Sequence, residues 1–177
     1  MSLQTASRAP LTFTRHVPPG AYRLLAAIVL ALALTFASDV FPTWGNLLNV
    51  LRQTALLFLI ASGLTLVILT AGLDLSVGAN IALSACLAAS VIKGAGSPWL
   101  GVLVGVGCGS LVGLFNGTLV TLLRIPSFIA TYGTMWILTG ITYYYMGGET
   151  IHGFPPGFRQ FGIGYLFGIP IPVYVMI

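Results

Sequence analysis

Two apolar stretches, Gln53 to Gly72 and Leu75 to Ile92, follow one another with almost no residues between them. Roughly 20 apolar residues carry a helix across a bilayer, so each stretch has the reach of a membrane span. A junction this tight implies a helix break near or within the membrane, tolerated only where protein or water satisfies the freed backbone groups. The junction reads Gly72-Leu73-Asp74-Leu75-Ser76-Val77-Gly78-Ala79-Asn80-Ile81-Ala82-Leu83-Ser84, which places a carboxylate, two hydroxyls, an amide and two glycines in a surrounding that is mostly oil. A charge at hydrocarbon depth costs on the order of 3 kcal/mol or more, which makes Asp74 a functional-site candidate. The plainer reading is equally open: Asp before an apolar run caps the next helix and suits the positive end of its dipole. Both can hold at once. If Leu75 to Ile92 is helical, Ser76, Asn80 and Ser84 share one face, a polar stripe on a helix that would otherwise prefer lipid.

Composition extends this reading to the whole chain. Hydrophobic residues make up 57% and charged residues only 6%, where a soluble domain carries about 25% charged. The expected fold is an all-α integral membrane protein, a multi-span helical bundle of about five complete transmembrane helices and a partial sixth. The net charge of +4 is small and scattered, which speaks against nucleic-acid binding. Its use is topological, because Arg and Lys mark loops kept on the cytoplasmic side. Cys86 and Cys108 lie inside spans without a Cys-x-x-Cys spacing or a nearby His, so they read as small packing residues and not as a metal site or a disulfide.

Residues 1–23 read as a cytoplasmic tail, with Arg8, Arg15 and Arg23 ahead of the first apolar run and Pro10, Pro18 and Pro19 breaking any helix, and residues 24–177 as the transmembrane domain. Leu24 to Ala37 is short for a span and also fits a signal peptide. An uncleaved first helix is the preferred reading, because Ala21, Tyr22 and Phe41 can lengthen it and Arg23 can snorkel. Asp39 to Arg52 reads as a loop with a helix start at the membrane surface.

Trp99 to Leu123 is the fourth span, and Gly101, Gly105, Gly109, Gly113 and Gly117 recur in it every four residues. Such a ladder leaves a groove where a neighbouring backbone can approach; the alternative is that the groove lines a pore. Asn116 is a second buried polar group, placed to bond across helices or to face a path. After Arg124-Ile125-Pro126, Ser127 reads as a helix N-cap, and Phe128 to Met146 is a fifth span ending in the interfacial aromatics Tyr143-Tyr144-Tyr145. Its threonines can bond back to their own helix, so Thr131 alone is read as a path candidate. Gly147 to Gly162, with Glu149 and His152, reads as an exterior loop, and Phe161 to Ile177 begins a sixth apolar run. Under this topology Arg8, Arg15, Arg23 and Arg124 lie inside, and Arg52, Lys93 and Arg159 outside.

Three blocks of this chain resemble the permease subunit of ribose-type ABC importers, a bacterial group that also serves xylose, arabinose and galactose. The first is Val67 to Gly78, similar to the signature "VILTGGIDLSVGS", with Ala71 where Gly is usual, Leu73 for Ile and Ala79 for Ser. The second is Gly113-Leu114-Phe115-Asn116-Gly117, similar to "GxxNG". The third, Arg124 to Met135, resembles "IPPFIVTLGTM" and continues to Gly140 and Gly147-Gly148. Such permeases resemble one another over roughly twice this span, and no "GxxxxAxGgN"-like stretch that touches the ATPase occurs here. The resemblance therefore implies the N-terminal half of a permease in the bacterial inner membrane.

It also implies a second permease subunit, two cytoplasmic ATP-binding subunits that hold the ATP, and an external sugar-binding protein, with no cofactor in this chain. The work implied is alternating access rather than covalent chemistry. Asp74, Ser76, Gly78, Asn80, Ser84, Asn116 and Thr131 would shape the path, with Asp74 holding the helix break together more than touching sugar. Two other readings stand beside this one: a non-transporting membrane fragment of such a permease, and a membrane-embedded enzyme using Asp74, Glu149 and His152. Two of those three lie in the exterior loop away from Asp74, and no paired-carboxylate or His-rich spacing accompanies them.

Overall fold

The computed structural model describes residues 19–176. The basic tail with Arg8 and Arg15 lies outside the described residues. The chain divides at Leu47 into two units. The first holds α1 (Pro19–Ala37) and a turn at Asp39–Thr43 that opens α2 (Trp44–Leu69). The second, from Leu48 on, holds the rest of α2, then α3 (Val77–Ala95), α4 (Pro98–Thr121), α5 (Ser127–Met146), α6 (Pro156–Ile163), a two-stranded hairpin and α7 (Ile171–Met176).

Helices α1 to α4 are long and apolar enough to cross a membrane. Helix α5, at 20 residues, has the length for a span but carries more hydroxyls and glycine. Large apolar side chains such as Leu66, Leu103, Val106 and Trp136 are exposed along these helices. On a soluble protein such a surface would drive aggregation; in a bilayer it is the side that meets lipid.

The packed unit is α3, α4 and α5, with Leu83, Val112 and Leu138 meeting at its centre and Cys108 and Ala79 beside them. The glycine ladder of α4 divides along its length. A Cβ on Gly101 would collide with the Ile92 side chain and come within 2.9 Å of the Ala88 carbonyl, and one on Gly105 would meet the Ala88 Cβ at 3.3 Å. Gly109 faces Ser84 and Asn80 more loosely, and Gly113 and Gly117 face open space. The upper rungs are thus a backbone-to-backbone seam with α3, and the lower two are free of it.

Helix α2 ends in a Schellman motif. The Gly72 N–H donates to the Val67 carbonyl at 3.1 Å and the Ala71 N–H to Ile68 at 2.9 Å, with Ala71 left-handed at φ 57. This is the position where glycine is usual. Leu73, Asp74 and Leu75 then run extended, and α3 starts at Val77 behind Ser76. Left-handed Gly96 closes α3, and Ser97 accepts the Leu100 N–H to open α4.

Three readings need correcting. Ser127 is not the cap of α5: Pro126 holds that position, and its carbonyl accepts the Ala130 N–H. The exterior loop contains α6, begun by the paired prolines Pro155 and Pro156 with Pro156 at its first position, where proline's missing N–H costs nothing. The sixth apolar run does not begin as a helix. Phe167 and Gly168, both left-handed, turn Tyr165–Leu166 back against Ile169–Pro170, and helix resumes only at Ile171.

Arg52, low on α2, lies 5.1 Å from the Tyr165 ring centroid and donates to the Ile163 carbonyl at 3.3 Å. The start of α2 and the segment after α5 therefore share one side, as the placing of Arg52 with Arg159 requires.

Two predictions follow from this packing. Gly101→Ala should lower thermal stability in detergent micelles by about 1–3 kcal/mol through overpacking, while Gly117→Ala, with open space around it, should not lower it. Ala71→Gly should raise stability by about 0.5–1 kcal/mol by removing the left-handed penalty on a Cβ; a lower midpoint would show that residue 71 is not left-handed.

A polar crevice at the helix break

The extended residues between α2 and α3 leave backbone groups with no helical partner, and side chains of α5 supply them. The Leu73 N–H donates to Ser127 Oγ at 3.0 Å and the Leu75 N–H to Thr131 Oγ1 at 3.1 Å. The Thr131 hydroxyl in turn reaches the Leu73 carbonyl at 3.1 Å and the Ser127 carbonyl at 2.9 Å. One turn at the start of α5 thus serves an extended segment more than fifty residues earlier. In a hydrocarbon surround each unsatisfied group would cost several kcal/mol, so these contacts decide whether the break can exist.

Asp74 secures the other end. Its Oδ1 accepts the Ser76 N–H at 2.8 Å, an Asx turn, and the Ser76 hydroxyl at 2.7 Å. The carboxylate caps the residue that precedes α3, while Ser76 itself makes no side-chain cap. Behind it lies a buried chain of hydrogen bonds across three helices. Asn116 Nδ2 donates to Ser76 Oγ at 2.8 Å, and the Thr134 hydroxyl donates to Asn116 Oδ1 at 2.6 Å. Ser76, Asn116 and Thr134 are 1%, 6% and 3% exposed, so water does not serve them.

A crevice of about 270 Å³ opens beside this junction, lined by Asp74, Asn116, Ser127 and Thr131 together with Gly113 and Gly117. The two free rungs of the ladder are what make room for it, since any larger side chain there would project into the space.

Of the residues singled out in the sequence, Asp74, Asn116 and Thr131 line the crevice, and Ser76 is buried next to it. Asn80 and Ser84 do not reach it. Ser84 donates to Asn80 Oδ1 at 3.2 Å, and Asn80 Nδ2 points to the Gly109 carbonyl at 3.4 Å, so the polar stripe of α3 faces α4. Gly78 is exposed in the first turn of α3, with no neighbour that would exclude a side chain. Ser127 and Thr134 are the polar partners that sequence reading missed. Ser127 resembled a cap, and Thr134 was one threonine in a row whose others, Thr139 and Thr142, do bond back to their own helix. Among the described residues no cluster suited to a metal ion occurs.

A family model described as "Branched-chain amino acid transport system / permease component" matches residues 46–162, which takes in the break, α3, α4 and α5. The chain is 41% identical over 155 residues to the ribose import permease protein RbsC of Bacillus subtilis, covering 86% of this chain and 48% of that protein. To the D-allose transport system permease protein AlsC of Escherichia coli it is 32% identical over 171 residues, 96% of this chain and 52% of that one. To the autoinducer 2 import system permease protein LsrC of E. coli it is 34% identical over 146 residues, 82% and 43% respectively. The chain spans about half the length of the curated relatives it matches. No solved structure matches it. With the helix break, the glycine-faced α4 and the Asn116 hydrogen bonds all inside the matched region, this chain belongs to the permease-component family of branched-chain amino acid transport systems, which are transporters and not enzymes.

Proposed function

We propose that this chain is part of the permease of an ABC importer that carries a ribose-type monosaccharide by alternating access. The observation that carries the proposal is the crevice at the break, whose lining fits an uncharged, hydroxyl-rich solute. A sugar hydroxyl both donates and accepts. It can therefore serve the Asp74 carboxylate, the Asn116 amide and the Ser127 and Thr131 hydroxyls alike. The lone carboxylate disfavours an anion, and Asp74 Oδ2 makes no hydrogen bond among the described residues, which leaves an acceptor for such a solute. The names of RbsC and AlsC support the same solute class.

The proposed assembly is a second permease subunit, identical or related, two cytoplasmic ATP-binding subunits and an external sugar-binding protein. The ATP belongs to the ATPases, and this chain needs no cofactor of its own. Its place is the bacterial inner membrane, with the N-terminus cytoplasmic. Nucleotide and binding protein would set which access state is populated, since a ligand shifts an equilibrium only by its differential affinity for the two states. A helix broken at the path and held by side chains, rather than by its own backbone ladder, gives two halves that can tilt separately.

The test is ATP-dependent uptake of radiolabelled ribose by the complete importer in proteoliposomes. Asp74→Ala should lower uptake about tenfold or more, as leaving the Ser76 donors unpaired costs roughly 1–3 kcal/mol, with normal membrane insertion. Full uptake by that variant would remove Asp74 from the path and leave it a cap. Absence of ATP-dependent uptake of ribose and of allose by the wild-type importer would contradict the function itself.

A further inference from the structure

The hydrogen bonds behind Asp74 run in one direction. An ionised carboxylate only accepts, so the single proton of Ser76 Oγ is committed to Asp74 Oδ1. Ser76 Oγ can then take part in a further bond only as an acceptor, which fixes the Asn116 amide with its nitrogen toward Ser76. That leaves the amide oxygen facing α5, where the one group that meets it is the Thr134 hydroxyl, as donor. Each link has one orientation because the link before it has one.

Thr134 is distinctive on its own helix. Thr131, Thr139 and Thr142 each bond back to the carbonyl four residues before, whereas the Thr134 hydroxyl goes across to α4. It is 3% exposed and does not line the crevice. Whatever it does for a solute, it does through other residues.

We propose that Thr134 is a positioning residue for transport: acting through Asn116 and Ser76, its hydroxyl holds the Asp74 carboxylate in its orientation at the crevice. Without that hydroxyl the Asn116 amide oxygen is buried with no donor, and the amide has no reason to keep its nitrogen on Ser76. Ser76 is then free to turn its proton elsewhere, and the carboxylate loses one of its two bonds. The proposal rests on the transport reading above for its effect on uptake, but its effect on the carboxylate does not.

The test uses Thr134→Val, which keeps the shape and removes the hydroxyl, and Thr134→Ser, which keeps the hydroxyl. The chain has only two aspartates, Asp39 and Asp74, so carboxyl-carbon labelling of Asp gives an assignable NMR signal for Asp74 in the full-length chain in nanodiscs. Thr134→Val is expected to move the Asp74 signal and leave that of Asp39 in place, and to lower ribose uptake by the complete importer about tenfold, the ~1.4 kcal/mol scale of one unpaired buried amide oxygen. Thr134→Ser is expected to restore both.

An unmoved Asp74 signal in Thr134→Val overturns the proposal. So does a moved signal with undiminished uptake, which would make the relay structural only, and so does a Thr134→Ser variant that fails with Thr134→Val, which would make Thr134 a packing residue. If wild-type importer shows no ATP-dependent sugar uptake, the transport reading fails and the transport role of Thr134 fails with it, whereas a shift confined to Asp74 would still report the orienting contact.

Discussion

An extended segment cannot cross hydrocarbon with its peptide groups bare, and the structure of this chain is arranged around that restriction. Leu73 and Leu75 have their N–H groups taken by Ser127 and Thr131, and the Ser76 N–H is taken by Asp74. Two short hydroxyl side chains at the start of α5 and one carboxylate do the work of a missing helical turn. The fold cannot dispense with α5 standing where it does, because moving its first turn away strands two backbone donors.

What holds α5 and α4 there is not hydrophobic burial, since lipid is as apolar as the helices themselves. The seam between α3 and α4 relies on close backbone approach over Gly101 and Gly105, where any side chain would clash. The three-helix contact relies on hydrogen bonds through Asn116, each worth well under 2 kcal/mol in a membrane. The division of the ladder follows: where α4 packs, glycine permits contact, and where it borders the crevice, glycine leaves space. One repeat serves both ends of the same helix.

Much of this was legible in the residues. The spans now seen as α3, α4 and α5 were set by apolar runs and by the punctuation Gly96-Ser97-Pro98 and Arg124-Ile125-Pro126, and the break followed from the lack of any loop around Asp74. Other features were hidden because they depend on distant partners. Ser127 carries the local signature of a cap, and only the nearness of Leu73 turns it to another use. Thr134 cannot be told from Thr139 by spacing, because what differs is the amide across from it. The hairpin at Tyr165–Pro170 lay inside an apolar run whose composition suits a helix equally well, with only Gly168 and the flanking prolines to mark the turn. Ala71 is instructive in the opposite sense, since the resemblance expects glycine there and the left-handed φ of 57 supplies the physical reason.

The central claim is that the break is a held structure and not a loose link. Amide hydrogen exchange over residues 70–76, in nanodiscs, measures it directly. The account predicts that Leu73 and Leu75 exchange as slowly as amides inside α3, and that Ser127→Ala releases Leu73 while Thr131→Val releases Leu75. Fast exchange of both amides in the wild-type chain, unchanged by either substitution, would contradict it.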